Sequence, residues 1–295
     1  MKAWKLWLVA VVMAAAMAAL MLKPRLRPHE RQAGAPQRIV SLAPNVTEFL
    51  FALGVGDRIV GATDFCDYPP EAKAIPRVGG LGAPSLEKLL ALAPDLVIAA
   101  DFEQNEMADV LRAAGVEVIE QRINNFDELF AAVRRIGAAV DRENEAERVA
   151  GEMAEQLRLA KSLAEARIAQ GHPVPRVFGE VWSDPLMTVG GGSFVDKVIV
   201  AAGGVNVAHG LKLEYPTINP EQVIEWDPDV IVFLYMLPPY KAAAELADRI
   251  GWKQIKAVRD GRLISDLSPD LLLRPGPRLP QGVRILAERL AHVEN

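Results

Sequence analysis

This chain is short of the residues that most often carry chemistry. Its single cysteine, Cys66, excludes an internal disulfide and any multi-cysteine metal site, and a lone cysteine is ordinarily a small buried hydrophobe. The four histidines, His29, His172, His209 and His292, have no metal-ligand spacing among themselves. Only His209, in a loop of the second half, is kept as a candidate ligand. There is no G-x-S-x-G nucleophile elbow and no G-x-G-x-x-G spacing. Gly190-Gly-Gly-Ser193 stands ahead of a helix and could offer N–H groups to an anion, but it lacks the Lys-Ser/Thr tail of a phosphate loop. The plainer reading is that these glycines let loop and helix approach closely. A formal net charge of −5 leaves nothing to neutralise a phosphate backbone, which excludes a nucleic-acid partner.

What is present is a repeat. Ser85-Leu-Glu-Lys-Leu-Leu-Ala-Leu-Ala-Pro-Asp-Leu-Val-Ile98 and Asn219-Pro-Glu-Gln-Val-Ile-Glu-Trp-Asp-Pro-Asp-Val-Ile-Val232 match at an offset of 134, with Glu87 on Glu221, Pro94 on Pro228 and Asp95 on Asp229. Each copy reads as a polar N-cap, a short helix with a Glu in its first turn, a Pro-Asp break, and an apolar run of the kind a strand buried on both faces requires. A repeat at this distance indicates two lobes of similar build. A composition of 51% hydrophobic and 24% charged residues is ample for both.

The remaining elements follow one grammar. Strands are expected at 38–44, 58–64, 96–100 and 116–119, with helices at 48–53 (capped by Asn45 or Thr47), 106–114 and 127–140. Asp67-Tyr-Pro-Pro70 reads as an extended turn, and the 78–82 segment as a bend. The rhythm then breaks: residues 143–170 hold no proline and one glycine, and their apolar residues keep helical spacing. One helix of that length is about 40 Å long at ~1.5 Å per residue, a strut rather than a linker. Beyond it are expected a strand at 176–182, a glycine loop at 188–193, helices at 194–202 and 241–250, a strand at 262–265, a Pro-rich loop at 268–280 and a terminal helix at 281–293. The fold class is therefore α/β: two doubly wound lobes with mainly parallel sheets, joined by one long rigid α-helix. Its expected divisions are 38–142, 143–171 and 172–295.

Ahead of them, residues 6–22 are an unbroken apolar run preceded by Lys2 and Lys5, read as a signal peptide or signal anchor over 1–22, followed by a spacer at 23–37. Lys23, Arg25, Arg27 and Arg31 after the run count against export by the positive-inside tendency. No cysteine lies just after the run to serve as a lipid attachment site.

A carboxylate in the first turn of a helix is stabilised by the helix dipole alone. On the repeat alone, Glu87 and Glu221 therefore read equally well as caps and as a pseudo-symmetric docking pair. The residues that tip this carry a family. Arg38-Ile-Val-Ser-Leu-Ala-Pro-Asn-Val-Thr-Glu48, Asp67-Tyr-Pro-Pro70, Pro84-Ser-Leu-Glu87 through Pro94-Asp-Leu-Val97, Gly191-Gly-Ser-Phe194 with Gly203-Gly-Val-Asn206, and Pro220-Glu221 through Pro228-Asp-Val230 together resemble the helical-backbone (class III) solute-binding proteins of ABC importers. Within that class the likeness is to its cobalamin-binding and iron-siderophore-binding branch, and it covers essentially everything past the spacer.

The resemblance implies a binding protein and not an enzyme, with no intrinsic cofactor or metal. It implies a crevice between the lobes holding a corrinoid or a ferric chelate, and delivery to an ABC permease dimer in the inner membrane. It implies a periplasmic location, whether exported or anchored, and a monomer when free. Glu87 and Glu221 match the family's permease-docking positions. Ligand contacts would fall on Phe65, Tyr68, Leu81, Gly82, Trp182, Tyr215, Arg274 and Arg278. Phe65 stands where Tyr is usual and Tyr215 where Trp is usual, while Leu81 replaces a flat Trp and so removes a stacking surface. Two other readings stay open. A haem or metal receptor would need His209, Tyr68, Tyr215 or Tyr235 as an axial ligand. A doubly wound enzyme would act on a nucleotide or sugar phosphate, with neither a phosphate loop nor a paired acid and base to support it.

Overall fold

The computed structural model describes residues 34–100, 105–235 and 239–293. The segment expected to be a signal peptide or anchor, 1–22, and residues 23–33 of the expected spacer lie outside the described residues. In the first lobe, β1 (Ile39–Ser41) leads into α1 (Pro44–Ala52) and β2 (Ile59–Ala62). A small hairpin of β3 (Gly79–Gly80) and β4 (Ala83–Pro84) precedes α2 (Leu86–Ala91) and β5 (Leu96–Ala99), and α3 (Asn105–Ala113), β6 (Glu117–Glu120) and α4 (Phe126–Ala139) complete it. The four larger strands form a wholly parallel sheet in the order β2-β1-β5-β6. Alternate residues face opposite sides: Ile39, Leu96 and Ile98 join one buried cluster with α1 and α4, whereas Val40, Val97 and Ala99 join another with α2 and α3. Helices thus cover both faces, which is why these strands are apolar throughout.

Next comes α5 (Glu143–Ala169), a continuous helix of 27 residues. It is packed along its length. Gly137 of α4 lies so close that a Cβ there would sit 2.5 Å from that of Ala146, and Gly203 of the second lobe would meet Ala164 at the same distance. One buried cluster runs from Ile39 and Leu96 through Val149, Met153 and Ala160 to Val177 and Val230. Arg148 donates to the Ala52 carbonyl near one end of the helix, and the buried Arg167 donates to Pro173 and Ala291 near the other. Two lobes that share one core with the helix between them are not free to swing on it.

The second lobe runs β7 (Arg176–Ser183), β8 (Leu186–Thr188), α6 (Phe194–Ala201), β9 (Val205–Asn206), α7 (Pro220–Trp226), β10 (Val230–Phe233), α8 (Pro239–Asp248), α9 (Lys256–Arg259), β11 (Leu263–Ile264), α10 (Asp270–Leu273) and α11 (Leu279–Ala291). Its sheet has the order β11-β10-β7-β8, with β9 alongside the first half of β7. All pairs are parallel except β7 with β8.

Several boundaries differ from expectation, and proline explains most of them. Neither Asn45 nor Thr47 caps the first helix: α1 begins at Pro44, which needs no N–H in a first turn, and both residues lie within it. Thr47 bonds the Ser41 hydroxyl at 2.7 Å, while Asn45 reaches the Pro275 carbonyl. Pro239 and Pro280 likewise sit in the first turns of α8 and α11, so both helices start two residues before the expected point. The 268–280 loop contains a further short helix, α10, and the expected bend at 78–82 is a hairpin with Leu81 and Gly82 at its tip, Gly82 at φ 76°.

A candidate ligand crevice between the lobes

Parallel strands deliver their carboxyl ends to one edge of a sheet, and ligands of open α/β sheets collect there. In this molecule the two such edges face each other. The start of α1, the loop after β2 and the loop after β6 belong to the first. The segment that follows β11, residues 265–278, belongs to the second. They touch: Asn45 donates to Pro275, Arg274 to Asp67 at 2.7 Å, and Arg278 to Glu48. Beside them Lys197 of α6 donates to the Asn124 carbonyl at 2.7 Å, and the rings of Phe126 and Phe194 meet edge to face at 5.1 Å.

The first wall is the loop after β2. Arg77 holds it from behind, donating to the carbonyls of Thr63, Cys66 and Ala72. Cys66 is buried against the Thr63 hydroxyl, as a small hydrophobe would be. With the backbone pinned and Cys66 facing inward, Phe65 and Tyr68 face outward, Phe65 being 53% exposed. Leu81, at the hairpin tip, is exposed too.

The second wall is built differently. Trp182, also 53% exposed, leaves the end of β7 with its indole N–H on the Asp184 carbonyl and its ring 5.8 Å from that of Tyr235. The Tyr235 hydroxyl donates to Glu180 at 2.6 Å. Glu180 is wholly buried within β7 and takes both prongs of the Arg249 guanidinium, at 2.7 and 2.8 Å. Arg249 in turn lies 4.5 Å over the Trp252 ring. Desolvation and the neighbouring Glu180 push the Tyr235 phenol far above its ordinary range, so that it serves as a neutral donor to Glu180. Burial raises Tyr215 as well, with Glu214 adding to the effect. Tyr215 lies on the segment that pairs with β8 through Met187 and Thr217, alongside the carboxyl half of β7.

Arg274 and Arg278 join the walls. Arg278 forks onto Glu48 at 2.6 and 2.9 Å while its guanidinium lies 3.5 Å over the Tyr68 ring. Arg274 reaches Asp67 at 2.7 Å, Asp270 at 3.0 Å and Glu48 at 3.7 Å. The hydrogen bond from Arg274 holds the Asp67 carboxyl below its ordinary range despite some desolvation. A cavity of about 470 Å³ lies on the strut side of this cluster, lined by Glu48, Tyr68 and Arg278 together with Val149, Met153 and Gln156 of α5. Phe65, Leu81, Trp182 and Tyr215 do not line it.

The remaining candidates resolve simply. His209 bonds the buried Asp196 carboxylate through Nδ1 at 3.0 Å, and that carboxylate also accepts from Asn206; the His209 side chain is otherwise 69% exposed. No group of three metal-ligating side chains occurs among the described residues. In the glycine loop the N–H groups of Gly190, Gly191 and Ser193 bond the carbonyls of Glu214, Leu211 and Gly190. A Cβ on any of Gly190, Gly191 or Gly192 would strike a backbone carbonyl of residues 209–213, which is the close approach these glycines serve. Glu87 and Glu221 stand exposed in the first turns of α2 and α7 and make no hydrogen bond or ion pair among the described residues.

Glu48, Glu180 and Arg249 escaped the sequence reading. Their signal was an acid set in an apolar stretch, Glu48 before Phe-Leu-Phe and Glu180 inside Val-Phe-Gly-Glu-Val, where a charge is buried only with a partner.

The family model for periplasmic binding protein matches residues 39–269. An uncharacterized ABC transporter substrate-binding lipoprotein of Bacillus subtilis, YvrC, is 34% identical over 261 residues, which is 86% of this chain and 80% of the relative. Similar solved structures include two with named ligands. The periplasmic vitamin B12 binding protein BtuF of Vibrio cholerae has a TM-score of 0.71 and 27% identity, over 87% of this chain and 97% of its own. The periplasmic heme-binding protein RhuT from Roseiflexus sp. RS-1, in apo form, has a TM-score of 0.76 and 29% identity, over 87% and 98%.

Proposed function

Because this chain belongs to the periplasmic binding protein family, in its helical-backbone class of non-enzymatic substrate-binding components of ABC importers, we propose that it carries a corrinoid such as cobalamin to a permease dimer of the inner membrane. It acts outside the cytoplasm, exported or anchored by its leader, and is a monomer when free. The observation that carries this reading is the pair of exposed aromatics, Phe65 and Trp182, presented by rigidly held supports at the facing carboxyl edges of the two sheets. Large planar ligands are bound chiefly by apolar burial with a few polar anchors. Tyr68, Leu81, Gly82, Tyr215, Arg274 and Arg278 complete the proposed contact set. Likeness to a vitamin B12 binder supports the corrinoid.

A ferric siderophore or haem is the second reading, favoured by likeness to a heme-binding protein and by the absence of a flat ring at Leu81. Against Tyr235 as the axial ligand stands its bond to Glu180; Tyr68, Tyr215 and His209 stay as candidates under this reading.

Glu87 and Glu221 are the proposed docking pair. Both are exposed and without an ionic partner among the described residues, and they occupy matching places in the repeat. Replacing both by Ala is expected to leave ligand affinity unchanged, to cost no more than about 1 kcal/mol of stability per helix, and to abolish stimulation of the transporter ATPase in proteoliposomes. A loss of ligand affinity with docking intact would assign them to the fold or the crevice instead.

A further inference from the structure

An arginine at the mouth of a crevice ordinarily marks an anion site, since its fork matches a carboxylate or phosphate. Here most of the donors that such a fork would use are already engaged with carboxylates. Arg278 gives Nε and one Nη to Glu48, whose side chain is 2% exposed, and its face is covered by Tyr68. Arg274 holds Asp67 and Asp270 at hydrogen-bonding distance and has Glu48 at 3.7 Å. Three carboxylates therefore surround two guanidiniums. Lys73 acts on Asp67 only through space, and Arg77 is committed to carbonyls behind the loop.

From this we propose that Asp67 and Asp270 set the charge of the ligand: the crevice takes an uncharged or cationic chelate whose rim offers amide N–H groups, and discriminates against polyanionic ones. This deepens, and rests on, the reading as a chelate-binding protein. A ligand carboxylate or catecholate that took the Arg274 fork would have to displace Asp67 or Asp270, exchanging one charge-assisted bond for another, and one that met only a remaining N–H would sit beside three carboxylates. An uncharged ligand leaves the ion pairs in place, and the half-exposed oxygens of Asp67 and Asp270 have lone pairs to accept from its amides. Arg274 is thereby a positioning residue for two acceptors.

The experiment titrates the full chain, by tryptophan fluorescence, with four probes: cyanocobalamin, the cationic ferrioxamine B, haemin and a ferric tricatecholate. The first two are expected to bind at least ~10-fold tighter than the last two, a difference of about 1.4 kcal/mol. Asp67→Asn combined with Asp270→Asn frees Arg274 and is expected to raise affinity for haemin and the tricatecholate by roughly 10-fold, on the scale of one charged hydrogen bond. Asp67→Asn alone, at a half-exposed site that endangers folding less, is expected to move both in the same direction by about 3-fold. Tighter binding of the anions by the unaltered protein, or no narrowing of the preference in the variants, overturns this inference and leaves the chelate reading standing. No response to any of the four probes overturns the chelate reading, and this inference with it.

Discussion

The two lobes share a frame and differ in what they bury at its end. In the first, Asp95 accepts the N–H of Arg38 at 2.9 Å and returns its own N–H to the Arg38 carbonyl at 2.8 Å. Asp229 and Arg176 repeat both bonds at the same distances. The two arginines also cap matching helices, Arg38 on the carbonyls of Leu92 and Ala93, Arg176 on that of Trp226. Strand register then aligns the lobes: Ile39 pairs with Leu96 as Val177 pairs with Val230. Three residues further on stand Leu42 and Glu180. Where the first lobe has an apolar residue and turns straight into α1, the second has a buried acid and runs on into a β-hairpin. Duplicated frames hold their position through backbone chemistry, and the crevice-facing ends are where they diverge.

The largest expected effect lies in that divergence. Glu180→Ala leaves Arg249 without its main partner and should cost about 3–5 kcal/mol in denaturant unfolding, whereas Glu180→Leu with Arg249→Met should recover most of the loss. Next is the contact between lobes. Glu48→Ala removes the fork that ties Arg278 to α1; because Arg278 is partly exposed, a cost of about 2–3 kcal/mol is expected. Faster amide exchange in residues 274–278 would mark loosening of the junction itself.

These two acids show why the site was less legible than the fold. The repeated Pro-Asp-apolar phrase predicts parallel strands because only a strand covered on both faces is apolar throughout, and 27 helical residues without proline predict the strut. The partners of buried charges carry no such local mark: Glu48 and Arg278 lie 230 residues apart in the chain, Glu180 and Arg249 69 apart. Phe65, Trp182 and Tyr215 are proposed contacts that rest on resemblance, whereas the groups that hold Phe65 and Trp182 in place emerge only from the tertiary structure.

A smaller test separates the frames. Ala93 and Asp227 match in the repeat and both adopt φ 42°, a left-handed conformation costly for a residue with a Cβ. Ala93→Gly should stabilise the protein by about 0.5–1 kcal/mol. Asp227→Gly should not, because the Asp227 carboxylate accepts the Lys256 N–H at 2.9 Å and pairs with its ammonium. Equal gains at the two sites would erase the distinction. Least of all is the acid dependence of the Asp67 to Arg274 bond. Since the folded carboxyl is held below its ordinary value of about 3.9, its contribution is fully present above that pH and disappears as pH falls through the folded value. Being half exposed, the pair should contribute only ~0.5 kcal/mol. Melting curves of the unaltered chain and Asp67→Asn should therefore differ slightly at neutral pH and converge in acid.

The most direct test of the central claim is a crystal structure with the tightest-binding chelate. The account predicts one ligand in contact with Phe65 from the first lobe and Trp182 from the second, with the cavity along α5 empty. A ligand held by one lobe alone, or lodged in that cavity, would contradict it.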